Sequence, residues 1–221
     1  MKLYDLDHSP FAARVRMATY AKGLPIPLVP PPGGARSAAY RAINPLGLVP
    51  ALALADGSVI PESEIIVEYL EDRFPTPPLR PDTAQDRARA RLLARIADQL
   101  LAEPLKRLFD VAKGTAPAAG ADACRAEVET ALELLARYLG GGSHAVGGRL
   151  TTADCALVPL LFFVARAAPL FPGAAPLAPH PRLAAYWESV AHDPVAARVL
   201  AELEAAQIRR AAARAAGAPE D

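Results

Sequence analysis

Two hydrophobic periods alternate along the first eighty residues of the chain. Short runs with the two-residue period of a strand are separated by longer runs with the period of a helix. The predicted strands are residues 2–6, 26–29, 51–54 and 59–60, and the predicted helices are residues 9–22, a short one at 35–42, and 62–73. Asp56-Gly57 lies between the last two strands and is a strong hairpin signal. The pattern therefore begins as a βαβ unit and continues into a hairpin and a helix.

Four prolines within residues 75–81 mark the end of this unit, because proline fixes the backbone and removes hydrogen-bond donors. The chain beyond them has the helical period. The predicted helices are residues 83–112, 122–139, 152–167, 181–191 and 194–206, and residues 211–221 are predicted to fray. The sequence thus predicts an α/β domain at 1–76, a linker at 77–84 and an all-α helical domain at 85–221.

Composition narrows the class of protein. The chain has 221 residues, of which 52% are hydrophobic and 22% charged, and its formal net charge is zero. No bulk charge attracts it to nucleic acid or to a membrane surface. The longest apolar run, 153–170, is interrupted by charged residues and prolines, which favours a buried helix over a membrane span. We expect a globular protein with neither kind of partner.

The cysteines, the histidines and the N-terminus predict neither disulfides, nor a metal site, nor export. Cys124 and Cys155 are too few for a disulfide framework and lack metal-ligand spacing. The four histidines also show no ligand spacing, so no metal site is predicted. The first residues lack the apolar core of a signal peptide. We expect a reduced, cytoplasmic setting.

Two neighbouring motifs suggest a peptide-binding pocket. Val49-Pro50 enters a short apolar strand, and a cis bond there would turn the main chain of Val49 toward a ligand. Glu62-Ser63 then opens a helix, whose free N–H groups and positive dipole end attract a carboxylate such as that of a γ-glutamyl group. Alone, Ser63 is equally an ordinary N-cap and Pro50 an ordinary strand-entry proline.

Ser9 is the candidate catalytic residue. It precedes Pro10 at the start of the first helix, and this pattern is typical of an N-cap. A serine here can also donate a hydrogen bond to a bound sulfur and favour its thiolate. Tyr4 is a second candidate for that hydroxyl. A hydrolytic pair of His8 and Ser9 is disfavoured, since adjacent side chains do not normally face each other and no Gly-x-Ser-x-Gly motif is present.

Together these motifs resemble the cytosolic glutathione transferases over nearly the whole chain. The similar segments are Ser9-Pro10-Phe11 with Arg14-Val15-Arg16, Asn44-Pro45 to Val49-Pro50, Glu62 to Ile66, Glu68-Tyr69-Leu70, and Thr151 to Asp154. The serine-type start is most similar to the tau, theta and zeta classes. The resemblance implies a thioredoxin-like first domain, an all-helical second domain and a homodimer.

The resemblance also implies a co-substrate and site residues. Glutathione would be held by Leu48, Val49, Pro50, Glu62 and Ser63, with Ser9 at its sulfur. Leu48 departs from the family, which commonly places Lys or Gln there to contact the glycine carboxylate, so we expect weaker glutathione binding.

A small hydrophobic electrophile is the expected second substrate. Its predicted site includes Phe11, Leu105 and Phe109, with Val111 nearby, although helical phase alone does not show which face is open and residues like the three in the second domain are more often core. Isomerisation of a maleyl-type acid, as in the zeta class, is an enzymatic alternative, although the double serine typical of that class is absent.

A non-catalytic alternative comes from a second resemblance. Residues 62–81 and 154–161 also resemble stringent starvation protein A, which has the transferase fold and is a partner of RNA polymerase. That protein lacks a hydroxyl at the position of Ser9, so Ser9 favours the enzyme.

Thr151 and Asp154 form a predicted capping box at the start of the most apolar helix. We expect Thr151→Ala to reduce the free energy of unfolding by about 1 kcal/mol, or more if the helix end is buried, while the folded variant keeps its activity. Thermal melting followed by circular dichroism checks this, and an unchanged melting temperature would contradict it.

Overall fold

We describe the fold from a computed structural model of the chain, which describes residues 1–217. Its strands are β1 (Lys2–Tyr4), β2 (Leu28–Val29), β3 (Ala51–Ala53) and β4 (Val59–Pro61). Its helices are α1 (Pro10–Ala21), α2 (Ala38–Arg41), α3 (Ser63–Arg73), α4 (Ala84–Ile96), α5 (Ala102–Ala112), α6 (Ala121–Tyr138), α7 (Thr152–Arg166), α8 (Pro181–Val190) and α9 (Pro194–Ala215). The predicted order of strands and helices is confirmed, with ends that shift by a few residues.

The chain forms two compact units. The first contains residues 1–79 together with the described part of the chain from Pro194, and the second contains Arg80–Asp193. The predicted domain boundaries differ in one respect, since they group α9 with the other helices of the second domain. In the structure α9 packs on α1.

A four-stranded sheet with the order β2-β1-β3-β4 organises the first unit. β1 and β2 are parallel, as a βαβ connection requires, and the other two pairings are antiparallel. The predicted hairpin at Asp56-Gly57 is confirmed, and Gly57 has a φ of 89°, which glycine adopts without a steric penalty. Helices α1 and α3 pack against each other.

The long helix predicted at 83–112 contains an irregular turn. α4 runs into a π-helical segment, Ala97–Leu101, which leads directly into α5. Pro104 follows this segment, and a proline lacks the N–H that would bond to the carbonyl of Leu100 and also crowds that carbonyl. The wider π turn just before Pro104 relieves this conflict.

Helix α9 is longer than the sequence indicated. The predicted end at residue 206 is wrong, because the helix continues to Ala215, which also corrects part of the predicted frayed tail. Alanine and arginine have high helix propensity, so this segment extends as a helix without an apolar face. Residues 218–221 of that tail lie outside the described residues.

The capping box at α7 is confirmed and deeply buried. Asp154 accepts hydrogen bonds from the N–H and hydroxyl of Thr151, both at 2.8 Å, from the Ala145 N–H at 2.8 Å and from the Tyr186 hydroxyl at 3.0 Å. Burial raises the pKa of the Asp154 carboxyl, and the hydrogen bonds from Ala145 and Thr151 oppose that rise. Between residues 1 and 217 no helix is both long enough and apolar enough to cross a membrane.

A buried ion pair joins the ends of α1 and α3. Lys22 is 6% exposed, and its ammonium group contacts the Glu71 carboxylate and donates to the carbonyls of Phe74 at 2.7 Å and Pro77 at 2.9 Å. Glu71 also accepts from the Leu79 N–H at 3.0 Å. The pair therefore fixes the proline-rich segment to the end of the first unit.

We expect Lys22→Met to lower the free energy of unfolding by about 3–5 kcal/mol, because it leaves the Glu71 carboxylate buried without its cation. Urea unfolding followed by circular dichroism measures the change. Lys113→Met removes an exposed lysine from a helix end and should stay within about 0.5 kcal/mol of the parent. Equal effects in the two variants would contradict a role for the buried pair.

Candidate functional site

The register of the strands brings three predicted site segments to the same end of the sheet. Ala51 lies opposite Tyr4 on one side and opposite Pro61 on the other. Residues 5–9 follow Tyr4, the Val49-Pro50 pair precedes Ala51, and Glu62 follows Pro61. All three segments therefore leave the sheet at the same end.

Ser9 is the N-cap of α1, as predicted. It has an extended backbone (φ −78°, ψ 124°), and its Oγ accepts a hydrogen bond from the Ala12 N–H at 3.2 Å. The side chain is nearly buried, with 9% of Ser9 exposed. Because the oxygen already accepts from the helix, the hydroxyl hydrogen remains available as a donor to a ligand at the positive end of α1.

The predicted cis bond at Val49-Pro50 is confirmed. It follows a turn in which the Leu48 carbonyl accepts hydrogen bonds from the Tyr40 hydroxyl and from Nδ2 of Asn44, both at 2.9 Å. Asn44 is buried, whereas the Leu48 side chain is 44% exposed. Tyr40 and Asn44 thus hold the main chain next to Val49.

Glu62 and Ser63 form an unusual helix start. Glu62 precedes α3 with a φ of 70°, in a region that residues other than glycine rarely occupy. The side chain of Glu62, the N-cap residue, does not cap this helix, and Ser63 is the first helical residue, so the interpretation of Ser63 as an ordinary N-cap is wrong. The Ile66 N–H bonds to the Glu62 carbonyl. The three preceding N–H groups, of residues 63–65, lie at the positive end of α3, where an anion binds favourably.

Strain at Glu62 is a functional signal that the sequence did not indicate. A non-glycine residue in such a conformation costs on the order of 1–3 kcal/mol and occurs most often at binding and active sites. Tyr40 and Asn44 were also missed as supports of the site. In the sequence, Asn44 was noted only within a segment that resembles the family, without a role for its amide side chain.

Tyr4 and His8, the alternative candidates for catalysis, lie in other surroundings than Ser9. The Tyr4 ring packs edge to face with Tyr40, with 5.4 Å between ring centroids, inside the core cluster of the first unit. His8 Nδ1 lies 3.4 Å from the Asp7 carboxylate. Tyr4 is therefore a core aromatic residue. His8 contacts Asp7, the residue that precedes it, rather than Ser9, the residue that follows it.

The three residues predicted to contact an electrophile lie in different surroundings. Phe11 is half-buried in α1, with the Arg14 guanidinium 5.9 Å from its ring centroid. In the second unit, Phe109 is half-buried and packs edge to face with Phe163 at 6.3 Å, whereas Leu105 is only 3% exposed and belongs to the core. Among residues 1–217, no group of three potential ligands could hold a metal ion.

Comparison with known protein families matches both parts of the chain. Residues 3–78 match the family described as the glutathione S-transferase N-terminal domain, and residues 118–188 match the corresponding C-terminal domain.

Individual relatives extend this result. A maleylpyruvate isomerase from Ralstonia is 34% identical over 177 residues, which are 72% of this chain and 80% of that protein. A maleylacetoacetate isomerase from Pseudomonas aeruginosa is 42% identical over 99 residues, which cover 42% of this chain and 47% of that protein, or about half of its length.

Solved structures agree over most of the chain. A holo structure of maleyl pyruvate isomerase, described as a bacterial zeta-class glutathione S-transferase, is 28% identical, with a TM-score of 0.72 over 90% of this chain and 96% of its own. A Methylobacterium radiotolerans glutathione S-transferase in complex with glutathione sulfonate is also 28% identical, with a TM-score of 0.75 over 90% of this chain and 93% of that one. On these matches, and with the sheet and helices they share, the chain belongs to the glutathione S-transferase family.

Proposed function

We propose that the protein is a glutathione-dependent isomerase that converts the cis double bond of a small maleyl-type acid into the trans form. The proposal rests chiefly on the Ser9 hydroxyl, which is nearly buried at the start of α1 and free to donate to a sulfur. Its substrate class is taken from the names of the Ralstonia and Pseudomonas relatives.

The residues at this end of the sheet fit a γ-glutamyl peptide. The uncapped start of α3 suits the carboxylate of the γ-glutamyl group, since three main-chain N–H groups point out of the helix there. The main chain of Val49, beside the cis bond, can pair with the peptide as a short strand does. Glu62 and Ser63 would hold the amino end of the ligand, and Leu48 and Pro50 would lie beside its other end.

Ser9 would act on the ligand's sulfur. A thiol with a pKa near 8.5 is only a few per cent ionised at neutral pH, and each unit by which that pKa falls corresponds to about 1.4 kcal/mol. A hydrogen bond from Ser9, aided by the positive end of α1, supplies stabilisation of this size. No base is required at the site for this role.

Glutathione, held by Val49, Glu62 and Ser63 with its sulfur at Ser9, would supply a thiolate for reversible addition to the double bond. The π electron pair would move onto the conjugated carbonyl oxygen, rotation would follow about the resulting single bond, and the pair would return as the C–S bond breaks. The peptide is regenerated, so it acts catalytically. What the protein contributes is the placement of two reactants and a lowered thiol pKa.

Conjugation of glutathione to a small hydrophobic electrophile is the second candidate function. Phe109 and Phe163 favour it, because their half-buried edge-to-face pair offers an aromatic surface for an apolar acceptor. In that reaction glutathione is consumed with each turnover. We also propose that the enzyme is a cytoplasmic homodimer that binds neither nucleic acid nor membranes.

We expect Ser9→Ala to lower kcat/KM for a maleyl keto acid about 100-fold, as loss of one hydrogen bond to a developing anion does. Ser9→Thr keeps the hydroxyl and should retain most of the activity. The disappearance of the cis acid, followed by chromatography at limiting glutathione, measures turnover and whether the peptide is regenerated. An aryl halide assay in parallel measures conjugation.

Three outcomes would count against the proposal. Product formation that stops when glutathione is exhausted would support conjugation instead. Full activity of Ser9→Ala would remove the assigned role of Ser9. Failure of the parent protein to bind immobilised glutathione, together with capture of RNA polymerase, would favour the non-catalytic alternative.

We also expect Leu48→Lys to tighten glutathione binding about 1.4- to fivefold, because an exposed ion pair with the glycine carboxylate is worth about 0.2–1 kcal/mol. Calorimetric titration measures the affinity. Leu46→Lys places the same charge two positions away on an equally exposed side chain, and should give a smaller change. Equal gains in both variants would indicate only a general effect of positive charge.

A further inference from the structure

Charged side chains link the last helix to the loop that ends at Ser9. This loop comprises residues 5–8, between β1 and Ser9, and we call it the Ser9 loop. Asp5, Asp7 and His8 each contact either Arg16 of α1 or a side chain of α9. All of these residues belong to the first compact unit.

Arg16 is the buried centre of this network. Only 1% of the residue is exposed, and its Nη1 donates to both carboxylate oxygens of Asp5 at 2.9 Å, while Nη2 donates to the Asp7 carbonyl at 2.8 Å. Burial raises the pKa of the Asp5 carboxyl, and the adjacent guanidinium opposes the rise. The start and the middle of the Ser9 loop are therefore held by one side chain.

Glu202 of α9 holds Arg16 from the other side. Its Oε2 lies 3.2 Å from Arg16 Nε in an ion pair that lacks hydrogen-bond geometry, and its carboxylate accepts from the Tyr20 hydroxyl at 3.0 Å and pairs with Arg198 at 3.2 Å. Arg198 also stacks over the Tyr20 ring, 3.6 Å from its centroid. The guanidinium that holds the Ser9 loop is thus itself positioned by α9.

A second contact reaches the loop directly, two turns further along α9. Arg209 donates to the Asp7 carboxylate at 2.7 Å, and Arg210 Nη1 lies 3.5 Å from His8 Nδ1. Burial alone would raise the pKa of Asp7, but the hydrogen bonds from Arg209 and His8 outweigh it and hold that pKa below its usual value. The two residues immediately before Ser9 therefore both face α9.

We propose that α9 positions the catalytic serine, with Glu202 and Arg209 as positioning residues that act through Arg16 and Asp7. This inference rests on the proposed role of Ser9 at the glutathione sulfur. A hydrogen bond to a thiolate depends steeply on distance and angle, and a displacement of about 1 Å can change a rate by large factors. Loosening α9 would leave the peptide pocket intact while weakening the bond that lowers the thiol pKa.

The test is the double variant Glu202→Gln/Arg209→Gln, in the full chain. The Glu202 contact is partly exposed and the Arg209 contact is exposed, so we expect about a three- to fivefold loss of kcat/KM from each single change and about 10- to 25-fold from both. The pH profile of kcat/KM should shift to higher pH. The ultraviolet absorbance of the bound thiolate should also appear at a higher pH, because the pKa of the bound thiol rises. Affinity for S-methylglutathione, whose sulfur cannot ionise, should stay within about twofold of the parent value.

The matched control is Glu129→Gln/Arg137→Gln, which makes the same two changes on exposed positions of α6. It should keep the activity, the pH profile and the affinity for S-methylglutathione of the parent. If the α9 double variant behaves like this control, the inference is overturned. It is also overturned if S-methylglutathione affinity falls as much as activity, since that would indicate damage to the pocket as a whole.

Combination with Ser9→Ala separates this inference from the proposed function. In the Ser9→Ala background the two α9 changes should have little further effect, because no hydroxyl remains to be positioned. If Ser9→Ala loses activity and the α9 variant does not, only the inference fails. If Ser9→Ala is fully active, the proposed role of the serine fails, and any loss in the α9 variant then arises by another route.

Discussion

The pairing of Ala51 with a strand on each side is the constraint on which the candidate site depends. Tyr4 lies opposite it in β1 and Pro61 in β4, so the three chain segments next to these residues emerge at one edge. One segment ends at the Ser9 cap and another at the strained Glu62. A slip of one residue in either pairing would turn the adjoining side chains to the opposite face of the sheet and separate these groups.

Helix α1 is held at its middle and at its C-terminal end by buried cations. Arg16 anchors the middle to the loop before Ser9, and Lys22, the C-cap, anchors the end to Glu71 of α3. Cations this deep in a protein are stable only with anionic and carbonyl partners, and each of these has both. Removing one partner is costly because it leaves a buried charge unpaired, whereas the intact pairs contribute little net stability and mainly fix the position of α1. Their consequence is that the serine lies on a rigid element rather than on a mobile loop.

Local features of the site were predictable from the sequence, whereas its strained geometry was not. The Ser9 cap and the cis bond at Val49 follow from the identity of adjacent residues, because each depends on a serine or proline at a particular point of a short pattern. The backbone of Glu62 follows no such rule, since glutamate does not favour a positive φ. Tyr40 and Asn44 could not be assigned either, because their shared acceptor is a carbonyl whose direction the sequence does not reveal.

The sequence by itself determined the order of strands and helices, the proline-rich boundary and the family, because hydrophobic period, caps and turns act over a few residues. Only the tertiary structure decided where α9 ends and what it contacts. The predicted helix ends at residue 206, yet the helix continues and Arg209 pairs with Asp7 near the other end of the chain. Contacts between such distant residues depend on the path of the whole chain, which no local pattern encodes.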